Sequence, residues 1–128
     1  MAGYSRTPLE RKLGIKPDHV VYLDGAPETF DLEVATTRRL PKQLEIGLTF
    51  HTSAARLGRR LPQLVERTTQ AGMIWVCWPK KAAKRDTDLD GTLVRDIGLA
   101  AGMVDVKVCA IDEVWSGLKF VRRLKDRP

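Results

Sequence analysis

The sequence predicts an α/β protein with a small, three-layer, mostly parallel sheet that ends in an antiparallel strand pair. From residue 45 onward, extended runs alternate with helical runs, an order typical of parallel strands joined by right-handed crossovers. The last two extended runs are separated only by residues 112–117, a connection of hairpin length. With 128 residues, 43% of them hydrophobic and 30% charged, the chain has the length and composition of one globular domain. We expect a single domain over residues 1–128, with a frayed basic tail at residues 124–128.

The first helix is predicted at residues 8–13. Thr7 and Glu10 have the spacing of a capping box, and Pro8 stands at the first helical position, where its missing N–H costs nothing. Gly14 supplies the left-handed residue that commonly ends a helix. Both ends of this short helix are therefore marked in the sequence.

Three extended runs follow the first helix. Residues 19–24 are β-branched and aromatic and predict a buried strand, and residues 32–36 and 45–51 predict two more. The connections at residues 25–31 and 37–44 are shorter than the dozen or more residues that join parallel neighbours. We therefore expect turns or edge hairpins in this part of the chain.

Helical and extended segments then alternate. Ser53 is a candidate N-cap for a helix that extends to residues 71–72. Pro62 either kinks this helix or begins the second of two short helices, and both alternatives stay open. Residues 73–78 are continuously apolar and predict a central strand that is buried on both faces. After a polar loop, the remaining elements are a helix at residues 93–101 and strands at residues 104–111 and 118–124.

Composition and charge exclude some classes of protein. No apolar run approaches the roughly 20 residues that span a bilayer, and residues 1–16 lack the hydrophobic core of a signal peptide. Cys77 and Cys109 lie in apolar, strand-like runs, where reduced thiols are expected rather than a disulfide. We expect a cytoplasmic protein without a membrane contact. Its net charge of +6 permits an anionic partner.

Several segments resemble known families. Residues 12–25 resemble the entry to the first strand of class I S-adenosylmethionine-dependent methyltransferases, where a short helix and a proline-containing turn precede a strand with an acidic end. Residues 70–76 resemble the strand after the central helix of that fold, and the closing strand pair resembles its C-terminal hairpin. Residues 78–81 and 106–119 are also similar to a family of small uncharacterised bacterial domains, which implies no activity. The resemblance implies a truncated, methyltransferase-like (Rossmann-like) fold.

The cofactor site of that fold is not matched by the residues after the first strand. The methyltransferases place several glycines and then a helix there, so that backbone amides approach the ligand. This chain has Gly25, a proline at position 27 and too few residues for the helix. We therefore expect no cofactor, and we expect Asp24 to cap its own turn.

A ligand site, if the chain has one, is expected at the carboxyl ends of the parallel strands. Four segments meet there: residues 24–29, 51–53, 78–90 and 112–117. The loop at residues 78–90 is either an anion-binding lid or, as we favour, an ordinary solvated loop. The candidate ligand-binding residues are His51, Trp78, Lys80, Lys81, Asp112, Glu113, Trp115 and Ser116.

The chemistry of these candidates allows two interpretations each. Pairing of Lys80 or Lys81 with Asp112 or Glu113 gives either a ligand pocket or a structural salt-bridge cluster, and the two tryptophans stack on a ligand or pack beneath the turn. His51 is a general base if another group orients it, and a structural residue otherwise. The cysteines and histidines do not have the spacing of a metal site, so no metal is expected.

We therefore expect a non-catalytic binding or interaction module on a reduced methyltransferase-like fold. The alternative is an enzyme or a ligand-binding protein for an anionic small molecule at the carboxyl edge of the sheet. Nucleic-acid binding ranks last, because it needs one continuous basic face and acidic residues are interspersed along the chain. The sequence carries no signal for an oligomeric state.

Overall fold

The computed structural model describes residues 8–123, which form one six-stranded sheet with helices on both faces. The predicted capping residue Thr7 and the predicted basic tail lie outside the described residues. The elements are α1 (Pro8–Leu13), β1 (Val20–Asp24), β2 (Ala35–Thr37), β3 (Leu44–Phe50), α2 (Ala54–Arg67), β4 (Thr68–Pro79), a single 3-10 turn (Lys81–Ala83), α3 (Gly91–Ala100), β5 (Met103–Ala110) and β6 (Trp115–Arg122).

The strand order in the sheet is β2-β1-β3-β4-β6-β5. β1 pairs in parallel with β2 and β3, β3 pairs in parallel with β4, and β6 lies antiparallel between β4 and β5. The predicted α/β class, with a mostly parallel sheet closed by an antiparallel pair, is confirmed. The position of β4 between β3 and β6 also confirms residues 73–78 as part of a central strand.

The prediction of hairpins among the first three strands is wrong, because these strands are all parallel. The link from β1 to β2 and the link from β2 to β3 contain no helix. β1 has five residues and β2 has three. At a rise of about 3.3 Å per residue, a return path beside such short strands is about 10 to 16 Å, which an extended link can span. The dozen or more residues usual for a parallel crossover include a helix, which these two links lack.

The α2 helix is continuous through Pro62, so the segment is one helix and not two short helices. Pro62 and Gly58, the residue whose carbonyl the proline cannot pair with, are both exposed to solvent. The helix ends at Arg67, earlier than predicted, and β4 begins directly at Thr68. Thr68 donates its hydroxyl to the Leu64 carbonyl at 2.8 Å, which satisfies a backbone acceptor at the helix end.

Each face of the sheet buries its own core. The face under α2 and α3 includes Tyr22, Ile74, Trp78 and Phe120, and the face under α1 includes Trp75 and Trp115. α1 ends as predicted at Gly14, whose φ of 79° is left-handed. Cys77 and Cys109 are free thiols, as predicted. Among the described residues, no helix is long and apolar enough to cross a membrane.

Candidate functional site

The sheet has a topological switch point between β1 and β3. The chain passes from β1 to β2 on one side of β1 and then returns to place β3 on the other side. In open α/β sheets, ligands bind at the carboxyl ends of the strands at such a switch point. Asp24 is the last residue of β1, and Thr49 pairs with it on β3.

Asp24 is the centre of a hydrogen-bonded network at this point. Arg60 of α2 donates to both carboxylate oxygens, from Nη2 to Oδ1 and from Nε to Oδ2, each at 3.0 Å. Tyr22 donates its hydroxyl to Oδ1 at 3.0 Å, and Thr49 donates to Oδ2 at 2.7 Å. The Tyr22 hydroxyl in turn accepts from Arg60 at 2.8 Å. The prediction that Asp24 caps its own turn is wrong, since its carboxylate joins β1, β3 and α2.

These contacts fix the charge of Asp24. Burial by itself would raise the pKa of the carboxyl group, but hydrogen bonds from Arg60, Thr49 and Tyr22 outweigh burial and lower the pKa. The same pairing raises the pKa of Arg60, and burial together with Asp24 raises the pKa of Tyr22. The bidentate geometry of the ion pair is the stronger form of a charge-assisted contact. The network is therefore an ionised pair with a neutral phenol.

His51 joins this network through Thr49. Its Nε2 lies 2.6 Å from the Thr49 hydroxyl oxygen. Burial lowers the pKa of the imidazole, and the guanidinium groups of Arg56 and Arg60 lower it further against the opposing effect of Asp24. The orienting partner that the sequence could not identify for His51 is thus Thr49, with Asp24 behind it.

A cavity of about 210 Å³ opens beside His51. Its other lining residues are Gly25, Phe50, Thr52, Arg56 and Trp115. Phe50 and Trp115 meet edge to face, with ring centroids 5.1 Å apart, and form one wall. The cavity combines an aromatic wall, an imidazole and a guanidinium at the carboxyl edge of the sheet.

The amino end of α2 borders this region, and the protein's own side chains accept from two of its amides. Ser53 is the N-cap, as predicted, and accepts from the Arg56 amide at 3.3 Å. Asp88 accepts from the Ala54 amide at 2.8 Å. Thr87 anchors the same loop by donating to the Thr52 carbonyl at 2.7 Å. The second half of the loop at residues 78–90 is therefore tied to the end of β3.

The other half of the carboxyl edge lies at the ends of β4 and β5. These strands run in the same direction because each is antiparallel to β6, as predicted. Lys80 donates its backbone amide to the Val114 carbonyl at 2.8 Å, and Pro79 pairs with Trp115. The two predicted loops therefore meet at one edge, although β6 starts at Trp115 and the turn is shorter than predicted.

The charged side chains of these loops do not form the predicted pairs. Among the described residues, the ion pairs are Arg60 with Asp24 and Arg95 with Asp105. The Asp112 side chain binds the backbone of its own turn, because its Oδ1 accepts from the amides of Val114 and Trp115 at 2.8 Å each. This is an Asx-type turn, which competes with a lysine for the carboxylate.

The remaining candidates do not converge on one pocket. Trp78 and Ser116 are paired across β4 and β6, and Trp78 packs into the α2 and α3 core, whereas Trp115 packs into the α1 core. Both tryptophans are buried, so packing accounts for most of their surface. Of the eight predicted residues, His51 and Trp115 share the cavity of about 210 Å³.

A second cavity, of about 370 Å³, adjoins the Asp112 turn. Trp115 and Asp112 line it together with Arg85, Phe30 and Asp31. Lys80, Lys81 and Glu113 line neither this cavity nor the cavity beside His51. Within residues 8–123, no group of three or more histidine, cysteine, aspartate or glutamate side chains is arranged to hold a metal ion.

Sequence reasoning missed Tyr22, Thr49 and Arg60. Tyr22 and Asp24 are two residues apart on β1 and therefore face the same side of the sheet. This spacing could have been recognised in the sequence. The part played by Thr49 and Arg60 depends on the parallel register of β1 and β3 and on the packing of α2. Because hairpins were predicted for this part of the chain, the parallel pairing of Asp24 with Thr49 was not expected.

No protein-family model matches this sequence, and no curated protein matches it. Solved structures do match the fold. LepI in complex with SAM aligns with a TM-score of 0.59 and 10% identity over 90% of this chain and 39% of LepI. Magnesium protoporphyrin IX methyltransferase (ChlM) from Synechocystis with bound SAH aligns with a TM-score of 0.52 and 12% identity over 70% of this chain and 51% of that enzyme. The chain spans about two fifths to one half of these neighbours and has a methyltransferase-like, Rossmann-like fold.

Proposed function

We propose that this chain is a binding module for an anionic small molecule, which it takes at the carboxyl edge of the sheet, and that it does not transfer methyl groups. The observation that carries the proposal is the cavity beside His51 and Arg56 at the switch point between β1 and β3. The location is the one that this class of sheet uses for ligands. The positive charge of Arg56, which lines the cavity, favours an anionic ligand.

Arg56 is the cation available to such a ligand. Among residues 8–123, its guanidinium has no ion pair and no side-chain hydrogen bond, whereas Arg60 one turn later is held by Asp24. The negative charge of Asp24 is compensated within the network and does not oppose an anion. A guanidinium with free donors recognises carboxylate or phosphate oxygens.

S-adenosylmethionine is a poor fit to these residues. The structural neighbours include LepI in complex with SAM and ChlM with bound SAH, so the cofactor is the first ligand to consider. In this chain, no helix lies between β1 and β2, and Arg60, Tyr22 and Thr49 bind the carboxylate at the end of β1. The cavity of about 210 Å³ is also below the roughly 300 to 1,000 Å³ of pockets that enclose larger ligands.

Calorimetric titration tests both parts of the proposal. Inorganic phosphate is the anionic probe, and we expect saturable binding that weakens at least tenfold in Arg56→Gln. Arg59→Gln is the matched control, because it removes the same charge from the same helix without lining the cavity. No saturable binding of phosphate would overturn the anion site.

The same titration with S-adenosylmethionine should give no binding heat at physiological concentration. Micromolar binding that disappears in Asp24→Asn would overturn the part of the proposal that excludes methyl transfer. An intact cofactor affinity would also mean that the link from β1 to β2 rearranges around the ligand.

A second candidate function is an enzyme that acts on the bound anion, and the orientation of His51 by Thr49 favours it. A positioned neutral imidazole is a frequent general base. Incubation of the protein with p-nitrophenyl phosphate distinguishes the two. Turnover that is lost in His51→Gln supports the enzyme, and binding without turnover supports the module.

A further inference from the structure

The hydrogen bonds around Thr49 determine which nitrogen of His51 carries the proton. Thr49 has one hydroxyl hydrogen and two polar neighbours, Asp24 Oδ2 at 2.7 Å and His51 Nε2 at 2.6 Å. Arg60 keeps Asp24 ionised, so the carboxylate cannot donate and takes the threonine hydrogen. The Nε2 atom must then donate to the threonine oxygen, and in a neutral ring Nδ1 is left as an acceptor.

The Nδ1 atom is open to a ligand. His51 lines the cavity of about 210 Å³, and no protein group among residues 8–123 donates to its Nδ1 atom. Within the same residues, no buried side-chain nitrogen or oxygen lacks a hydrogen-bond partner, so this atom is reached by solvent. His51, whose Nδ1 acceptor is open to solvent, and Arg56 therefore line one cavity.

We propose that this cavity selects a phosphate group in its protonated form, with the P–OH donating to His51 Nδ1 and the anionic oxygens held by Arg56. The inference rests on the proposed anion-binding function and adds the chemical class of the ligand. It also assigns Thr49 and Asp24 as positioning residues, because they fix the tautomer without touching the ligand.

Sulfate is the discriminating analogue. It has the same shape as phosphate but carries no proton near neutral pH, so it places a second acceptor against the Nδ1 lone pair. An acceptor that faces another acceptor in a confined site loses the hydrogen bond that water would give it. Phosphate monoesters have a second pKa of about 6 and still carry the proton on part of the population near neutral pH.

The pH dependence follows from the groups that face His51. These are Asp24 on β1 and the guanidinium groups of Arg56 and Arg60 on α2. Burial and the two arginines keep the pKa of the imidazole below its ordinary value, so the ring stays neutral near pH 7. Phosphate affinity should therefore rise as the pH is lowered from 8 towards 6.5, while sulfate affinity stays constant.

The tautomer can be measured without any ligand. The chain has two histidines, so long-range ¹⁵N–¹H spectra of the labelled protein distinguish them after one substitution. We expect His51 as the Nε2–H tautomer at pH 7, retained in Thr49→Ser and lost to a mixture in Thr49→Val. A dominant Nδ1–H tautomer or a doubly protonated ring at pH 7 would overturn the inference.

Titration of the two anions completes the test. We expect phosphate to bind at least tenfold more tightly than sulfate at pH 6.5, and we expect the ratio to fall to within twofold in Thr49→Val. His51→Gln is a second variant, which removes the Nδ1 acceptor and should likewise bring the ratio to within twofold. Equal binding of both anions by the wild-type protein overturns the inference and leaves the proposed function intact. Failure of both anions to bind overturns the proposed function itself.

Discussion

The two halves of the carboxyl edge differ in how their polar side chains are held. At the ends of β1 and β3, Asp24 has three side-chain partners from β1, β3 and α2. At the ends of β4 and β5, two loops meet through a backbone hydrogen bond, and the side chains of Lys80 and Glu113 form no ion pair within residues 8–123. In both halves, segments distant in the sequence lie close together. In the first half, side-chain hydrogen bonds also join these segments.

The difference has a physical cause. Tyr22, Asp24 and Thr49 project from paired strands, where the register fixes each side chain and its neighbours. Lysine and glutamate side chains in exposed turns lose conformational entropy on pairing and are screened by water, so their contacts contribute little. Charged residues in adjacent loops are therefore weak evidence of a site unless a strand or helix holds them.

The largest expected effect separates the two halves directly. Asp24→Ala should lower the free energy of unfolding by about 3 kcal/mol, because it leaves the half-buried Arg60 guanidinium without its carboxylate partner. Asp112→Ala removes only a turn acceptor for two amides near solvent and should cost about 1 kcal/mol. Urea denaturation of both variants gives the comparison. Equal losses would mean that the Asp24 network is no more coupled than an ordinary turn.

A double-mutant cycle isolates the pairing inside the first half. Asp24→Asn and Arg60→Gln should show a coupling free energy of about 2 kcal/mol, in the range found for residues that share one hydrogen-bond network. Chemical denaturation of the two single variants and the double variant measures it. Additive losses would show that Asp24 and Arg60 stabilise the fold independently.

Most of the fold was accessible from the sequence, and most of the site was not. Capping residues and apolar periodicity located α1, α2 and β4, because those signals are local. The parallel pairing of β1 with β3 has no local signal, because the links between the first three strands contain no helix that would mark a crossover. The network depends on that pairing, so only His51 and Trp115 among the predicted residues line the cavity at the switch point.

Acid should weaken the first half through Asp24. Hydrogen bonds hold the pKa of Asp24 below its ordinary value of 3.8 in the folded protein, so the unfolded chain takes up this proton first as the pH falls. The stabilisation is complete above pH 3.8 and is lost as the pH falls through the folded pKa. We expect Asp24→Asn to flatten this acid loss in urea midpoints measured from pH 5 to pH 2. Asp112→Asn is the control and should retain it.

The smallest expected effect concerns the half that looked most like a site in the sequence. Lys80→Glu and Glu113→Lys should each change the free energy of unfolding by less than about 0.5 kcal/mol, as surface substitutions without a specific partner do. The charge-swapped double variant should then equal the sum of the single changes, because there is no pair to restore. Thermal or urea denaturation of the three variants measures the coupling. A coupling of about 1 kcal/mol would instead show that Lys80 and Glu113 are paired in solution, which would make the second half a salt-bridged edge and remove its lysine as a free cation for a ligand.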